Sequence, residues 1–261
     1  MKETLSLIQA TAICNEINAI MMQCKVRMEI KNLQFAEAVA KIWEDNNAVE
    51  CFKKHKQNME EAIKTLDHNN KIFVRMVQSI ANNYSKVGEM DKLEVNEINL
   101  VPNIDVSCVK PHFSDGNGDD FGFVNPKSGA QQVMDAFEQL EKELTKIAEE
   151  TKTRINSINA FGNPQVQSEI AHSSKVVVEI LNEHVESARK IMQDYLDKTA
   201  QAYVAAGENA KDAINDLNGV EVPPQTAPAP PRPAGPGGSA PSGYSGGGSY
   251  AGSAEGSYYG E

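Results

Sequence analysis

Between residues 47 and 87, Phe52, Met59, Ile63, Leu66, Phe73, Val77, Ile80, Tyr84 and Val87 recur in alternating three- and four-residue steps, with Lys56 and Asn70 in polar slots. Such spacing holds apolar side chains on one stripe of an α-helix, and a heptad stripe this regular needs a partner helix. Two segments offer one. Residues 4–41 carry Ile13, Ile17, Ile20 and Cys24, then Phe35, Val39 and Ile42 just beyond; residues 128–158 carry Val133, Phe137, Leu140, Leu144, Ile147 and Ile158. A fourth stripe over residues 165–216 runs through Ile170, Val177, Leu181, Ala188, Ile191, Tyr195 and Ala202, widened by Val178, Val185 and Met192. A wider stripe is buried on more sides.

Glycine and proline punctuate these stripes. Gly88, Pro102, Pro111, Gly162 and Pro164 stand where helices would end. The first two helices are predicted to form an antiparallel hairpin closed by Trp43-Glu44-Asp45-Asn46. The second pair closes at 160–164, where Gly162 supplies a permissive helix-ending backbone and Pro164 starts the next helix. In the connector, Ile98, Leu100, Ile104, Val106 and Cys108 alternate at period two, which predicts a short extended stretch interrupted by Pro102. The expected fold is all-α: two long antiparallel helical hairpins packing as an elongated four-helix bundle. Its units are a hairpin at 1–90, a connector at 91–127, a hairpin at 128–218 and a tail at 219–261. The tail holds 11 of the 18 glycines and 8 of the 12 prolines, a composition with too little apolar surface to offset its ordering entropy, so disorder is expected there.

The net charge of −11 repels phosphate backbones, and the basic residues form no stripe, which argues against nucleic acid as a partner. No window approaches the ~20 consecutive apolar residues of a membrane span, and residues 1–12 lack a signal-peptide layout. Cys14, Cys24, Cys51 and Cys108 form no CxxC pair, so reduced, packed thiols are expected; a bridge from Cys14 or Cys24 to Cys51 is the alternative.

Little catalytic chemistry is written in the chain. Asp115-Gly-Asn117-Gly-Asp119-Asp120 resembles the start of a calcium loop, but Asp120 stands where glycine is needed and Pro126 where a bidentate Glu is needed. His55, His68, His112, His172 and His184 are widely separated. No nucleophile elbow, phosphate loop or dinucleotide fingerprint is present. We therefore expect no cofactor, no metal and no enzymatic activity. Trp43, the only Trp, has two readings: a plug that caps the helix pair, or an exposed anchor for a partner.

Tyr84-Ser-Lys-Val-Gly88-Glu89 recurs as Tyr203-Val-Ala-Ala-Gly207-Glu208, 119 residues later, and the same offset carries Trp43 to Gly162, beside Phe161. Two landmarks at one offset suggest a duplicated unit of helix, aromatic-marked turn and helix. With Trp43 at its turn, Phe52 and Leu66 on the second helix and Tyr84 near its end, the first unit resembles the Trp-x-Gly (early-secreted-antigen-like) family of type VII secretion; residues 128–216 resemble it more weakly. The departures are Asp45 in place of glycine, Phe161-Gly162 in the second turn, and an acid one place late at Glu89 and Glu208. The resemblance implies a non-enzymatic secretion substrate or carrier, made in the cytoplasm and released without a cleaved signal. It further implies hairpin turns (Trp43, Phe161, Gly162) that serve interaction, and an export signal at Tyr84, Glu89, Tyr203 and Glu208. The partner would be a secretion-machinery ATPase or another helical protein, and the fused units would form a monomeric pseudo-dimer or a homo-oligomer. A cytoplasmic coiled-coil scaffold is the alternative.

Overall fold

The computed structural model describes residues 5–85, 94, 95, 97–111, 122–124 and 128–219, the side chains of 84, 85, 203, 204 and 206–219 excepted. The calcium-like stretch 115–120, Glu89 and the tail from residue 220 onward lie outside the described residues. The chain divides into Met1–Leu217, which holds the packed helices, and Asn218–Glu261.

The fold is all-α. Its helices are α1 (Leu7–Val39), α2 (Asn46–Ser85), α3 (Gly129–Asn156) and α4 (Pro164–Gly219). Local chemistry sets the helix starts. Ser6 and Gln9 form a reciprocal capping box at α1, so the helix begins after Ser6 and not at residue 4. Asp45 Oδ1 accepts from the Ala48 amide at 2.7 Å and caps α2. Asn163 Oδ1 accepts from the Val166 amide at 3.0 Å and caps α4, whose first residue is Pro164.

Side-chain contacts fix the directions. Along α1, Cys14 lies level with Val74, Asn18 with Asn70 and Asn32 with His55, so α2 runs antiparallel to α1. Gln23 meets Arg154, Arg27 meets Glu150 and Lys31 meets Glu143, which makes α3 antiparallel to α1 as well. Asn47 meets Thr199, Asn58 meets His184 and Asn69 meets Ser173, and α4 is therefore antiparallel to α2. The short turn at 157–163 makes it antiparallel to α3, to which it is tied by Arg189 and Glu141.

These directions leave α2 parallel to α3, and no tight turn can join two parallel helices; the chain must travel back along the bundle. The connector does so. Glu97 pairs with Arg75, the Leu100 amide donates to Asp67 Oδ1 and the Asn103 amide to Glu29 Oε1, both at 2.7 Å, and Gly122 and Phe123 reach the Trp43 turn. Leu100 and Ile104 are buried against the helices, while Ile98, Val106 and Cys108 are half-buried. The strap thus follows the period-two reading on its inner face, and among the described residues its β pairing is the isolated Trp43–Phe123 bridge.

The core is one continuous cluster from Leu5 to Leu196. Towards the α1/α2 turn Phe35 stacks on Phe52 at 5.3 Å and meets Phe137 edge-on at 5.8 Å. Ala202, placed on the fourth stripe by its spacing, is exposed; Thr199 is the last buried residue among the described side chains of α4, and the helix continues past it.

Candidate functional site

The α1/α2 turn is tied to the strap and to α4 by backbone, side-chain and ring contacts. Trp43 has no exposed surface, which overturns the exposed-anchor reading: the indole is a plug. It lies 5.8 Å from the Phe123 ring at 31°. Beside the rings, the Glu44 amide donates to the Gly122 carbonyl at 2.7 Å and the Val124 amide to the Ile42 carbonyl at 3.0 Å. Below them, the Thr199 hydroxyl donates to Asp45 Oδ2 at 2.8 Å and accepts from Asn47 at 3.2 Å. Asp45, a departure from the Trp-x-Gly pattern, therefore caps α2 and binds α4. The chain of the strap passes so close that a Cβ on Gly122 would sit 2.3 Å from Asp45 Oδ2. Gly129 gives room to the Phe123 ring in the same way, with 2.5 Å from a hypothetical Cβ to Phe123 Cβ.

The α3/α4 turn repeats the capping but not the burial. Asp45 and Asn163, and likewise Trp43 and Phe161, are related by 118 residues, so the structural register at the turns is one residue shorter than the 119 of the tyrosine motifs. Phe161 is 40% exposed and takes φ of +50°; Gly162 follows at φ of +72° with open space around it. A left-handed backbone is costly for an aromatic residue and free for glycine. Among the described residues no strap crosses this turn, which leaves its aromatic ring partly in solvent.

A second polar cluster sits in the core. His55 is fully buried, its ring edge-on to Phe35 and Phe52. The Asn32 amide donates to the Met28 carbonyl at 2.8 Å, which turns its Oδ1 towards the imidazole, 2.7 Å from His55 Nε2. Nε2 therefore carries the proton and donates, while Nδ1 has no hydrogen-bond partner. Burial without a compensating charge pushes the imidazole down to about 4, so it stays neutral. The separation of the five histidines conceals this pairing, because Asn32 is not a residue that a metal or catalytic search picks out. Burial also raises the thiols, Cys14 to about 12 and Cys24 and Cys51 well above the usual range. Such thiols are poor nucleophiles and poor ligands. All four cysteines are unpaired; Cys14 lies level with Val74 and Cys24 beside Thr151, whereas Cys51 lies level with Met192, so neither alternative bridge forms.

Of the expected export residues, Tyr84 lies at the C-terminal end of α2 and Tyr203 and Glu208 towards the C-terminal end of α4, which runs antiparallel to α2, with side chains outside the described residues. Among the described residues no three His, Cys, Asp or Glu converge to hold a metal, and no helix is long and apolar enough to cross a membrane. A shallow groove between α1 and α3 is floored by Phe35 and Leu140 and rimmed by Lys31, Gln34, Gln139 and Glu143, a set that presents amides and an ion pair but no activated nucleophile. No protein-family model, curated protein or solved structure matches this chain.

Proposed function

We propose that this chain is a non-enzymatic helical protein that acts through protein–protein contacts, as a substrate or carrier of type VII secretion. One observation carries the reading: α4 continues as helix beyond Thr199, the last buried residue among its described side chains, and bears Tyr203, Gly207 and Glu208 on that extension. A helix end past the described core is a suitable handle for a secretion ATPase. The two antiparallel hairpins in one chain support the same reading, as a fused form of the paired hairpins implied by the resemblance.

Secretion into the culture medium of the native host tests it. Release that needs the secretion-system ATPase and is lost in Tyr203→Ala or Glu208→Ala is the expected result. Retention inside intact cells under every condition overturns it and favours a cytoplasmic scaffold.

A further inference from the structure

The outer face of α1 is apolar. Helix α1 exposes Ala19, Met22, Val26 and Ile30, with Leu33 half-buried, in one stripe that contains no charge, a longer apolar run than the pair Ile72 and Met76 exposed on α2. Met22, Val26 and Ile30 are 37%, 41% and 48% exposed. Scattered exposed apolar side chains are ordinary, whereas a contiguous stripe at helical spacing marks an interaction surface.

The order of side chains along this stripe identifies what covers it. The steps from Ala19 to Leu33 are three, four, four and three residues, so the pattern reads the same in both directions about Val26. A two-fold axis through Val26 places Val26 against its own copy, Met22 against Ile30 and Ala19 against Leu33, so that apolar side chains face one another along the whole stripe. An isologous interface requires this kind of self-complementarity. The stripe is about 21 Å long, enough for two helices to pack along four turns.

The flanking charges agree. Lys25 and Glu29, paired at 3.0 Å, edge the stripe on the side of the strap. In the antiparallel two-fold arrangement the same edges of the two chains lie side by side, which puts each Lys25 next to the Glu29 of the other copy. On the opposite edge Arg27 is already neutralised by Glu150 at 2.7 Å, so no basic group beside the axis lacks an acid. Val101, 66% exposed and two residues before the strap's bond to Glu29, enlarges the apolar surface on the first edge.

We propose that the outer face of α1 is a homodimer interface, in which a second copy of this chain packs antiparallel along Ala19, Met22, Val26, Ile30 and Leu33 with Val26 on the two-fold axis. The proposal does not rest on the export reading and holds for a secreted or a cytoplasmic protein.

Sedimentation of the full-length chain over a range of concentrations tests it. The wild type is expected to pass from monomer to dimer. Val26→Glu and Val26→Lys each oppose two like charges on the axis and are expected to weaken the dimer by about ten-fold or more, with circular dichroism unchanged because the side chain faces solvent. An equimolar mixture of the two variants restores the dimer, now as a heterodimer; a general loss of folding would not be rescued in this way. A monomer at every concentration overturns the proposal, as does a dimer that survives Val26→Glu or a mixture of folded variants that fails to associate. Binding of a monomeric wild type to phosphatidylserine vesicles, lost in Val26→Glu, overturns it in favour of a lipid surface.

Discussion

His55 occupies a core position of α2 where the neighbouring heptad sites are apolar, and it is tolerated there because Asn32 accepts its single N–H. Its ordinary value near 6.5 falls to about 4 on folding, so the stability it shares in is intact above pH 6.5 and is lost as the pH falls towards 4. The loss amounts to about 3 kcal/mol across that window. Urea denaturation as a function of pH is expected to show this slope in the wild type and not in His55→Gln, which keeps a donor for Asn32 but does not titrate. Gly122 is a second residue whose role is set by its neighbours. In Gly122→Ala the new methyl meets the Asp45 carboxylate and the Thr199 methyl at 2.8 Å, and both are held by hydrogen bonds. A loss of about 1–3 kcal/mol is expected by chemical denaturation. Neither residue is legible in the sequence as important: a lone histidine and a loop glycine gain meaning only from what folds against them.

Among the elements, the helices were the legible part. Amphipathic spacing located all four, with ends displaced by a few residues where Ser6, Asp45 and Asn163 supply the actual caps. The strap was half legible, since alternation predicted an extended segment but not the groove that receives it. Its terminal latch makes a prediction at this scale. Phe123→Ala removes the ring against Trp43 and is expected to cost about 3–5 kcal/mol, with faster hydrogen exchange at the Glu44 and Val124 amides that bridge strap and turn. Asp45→Ala deletes a helix cap and the acceptor of Thr199 together, and a loss of at least about 1–2 kcal/mol is expected in thermal or chemical melts. Asp45→Asn retains a cap and should recover part of it.

At the scale of the whole molecule, the helices are held in register by polar pairs set within apolar interfaces: Asn18 with Asn70 and Asn32 with His55 inside the first hairpin, and Asn58 with His184 and Asn69 with Ser173 between the hairpins. Sliding one helix past another by a turn would leave these groups buried without partners, at about 1–3 kcal/mol for each orphaned group. Apolar stripes alone tolerate such slippage. The sequence by itself determined that the chain forms four long amphipathic helices in two hairpins, because period and punctuation are local properties that each segment carries without reference to the others. The tertiary structure alone decided that α2 and α3 run parallel under a returning strap, that Trp43 is buried while Phe161 at the corresponding turn is half in solvent, and that the outer face of α1 is left uncovered. Each of these depends on which faces meet across long separations in the chain, and a stripe of side chains records that it wants a partner without recording which one it gets.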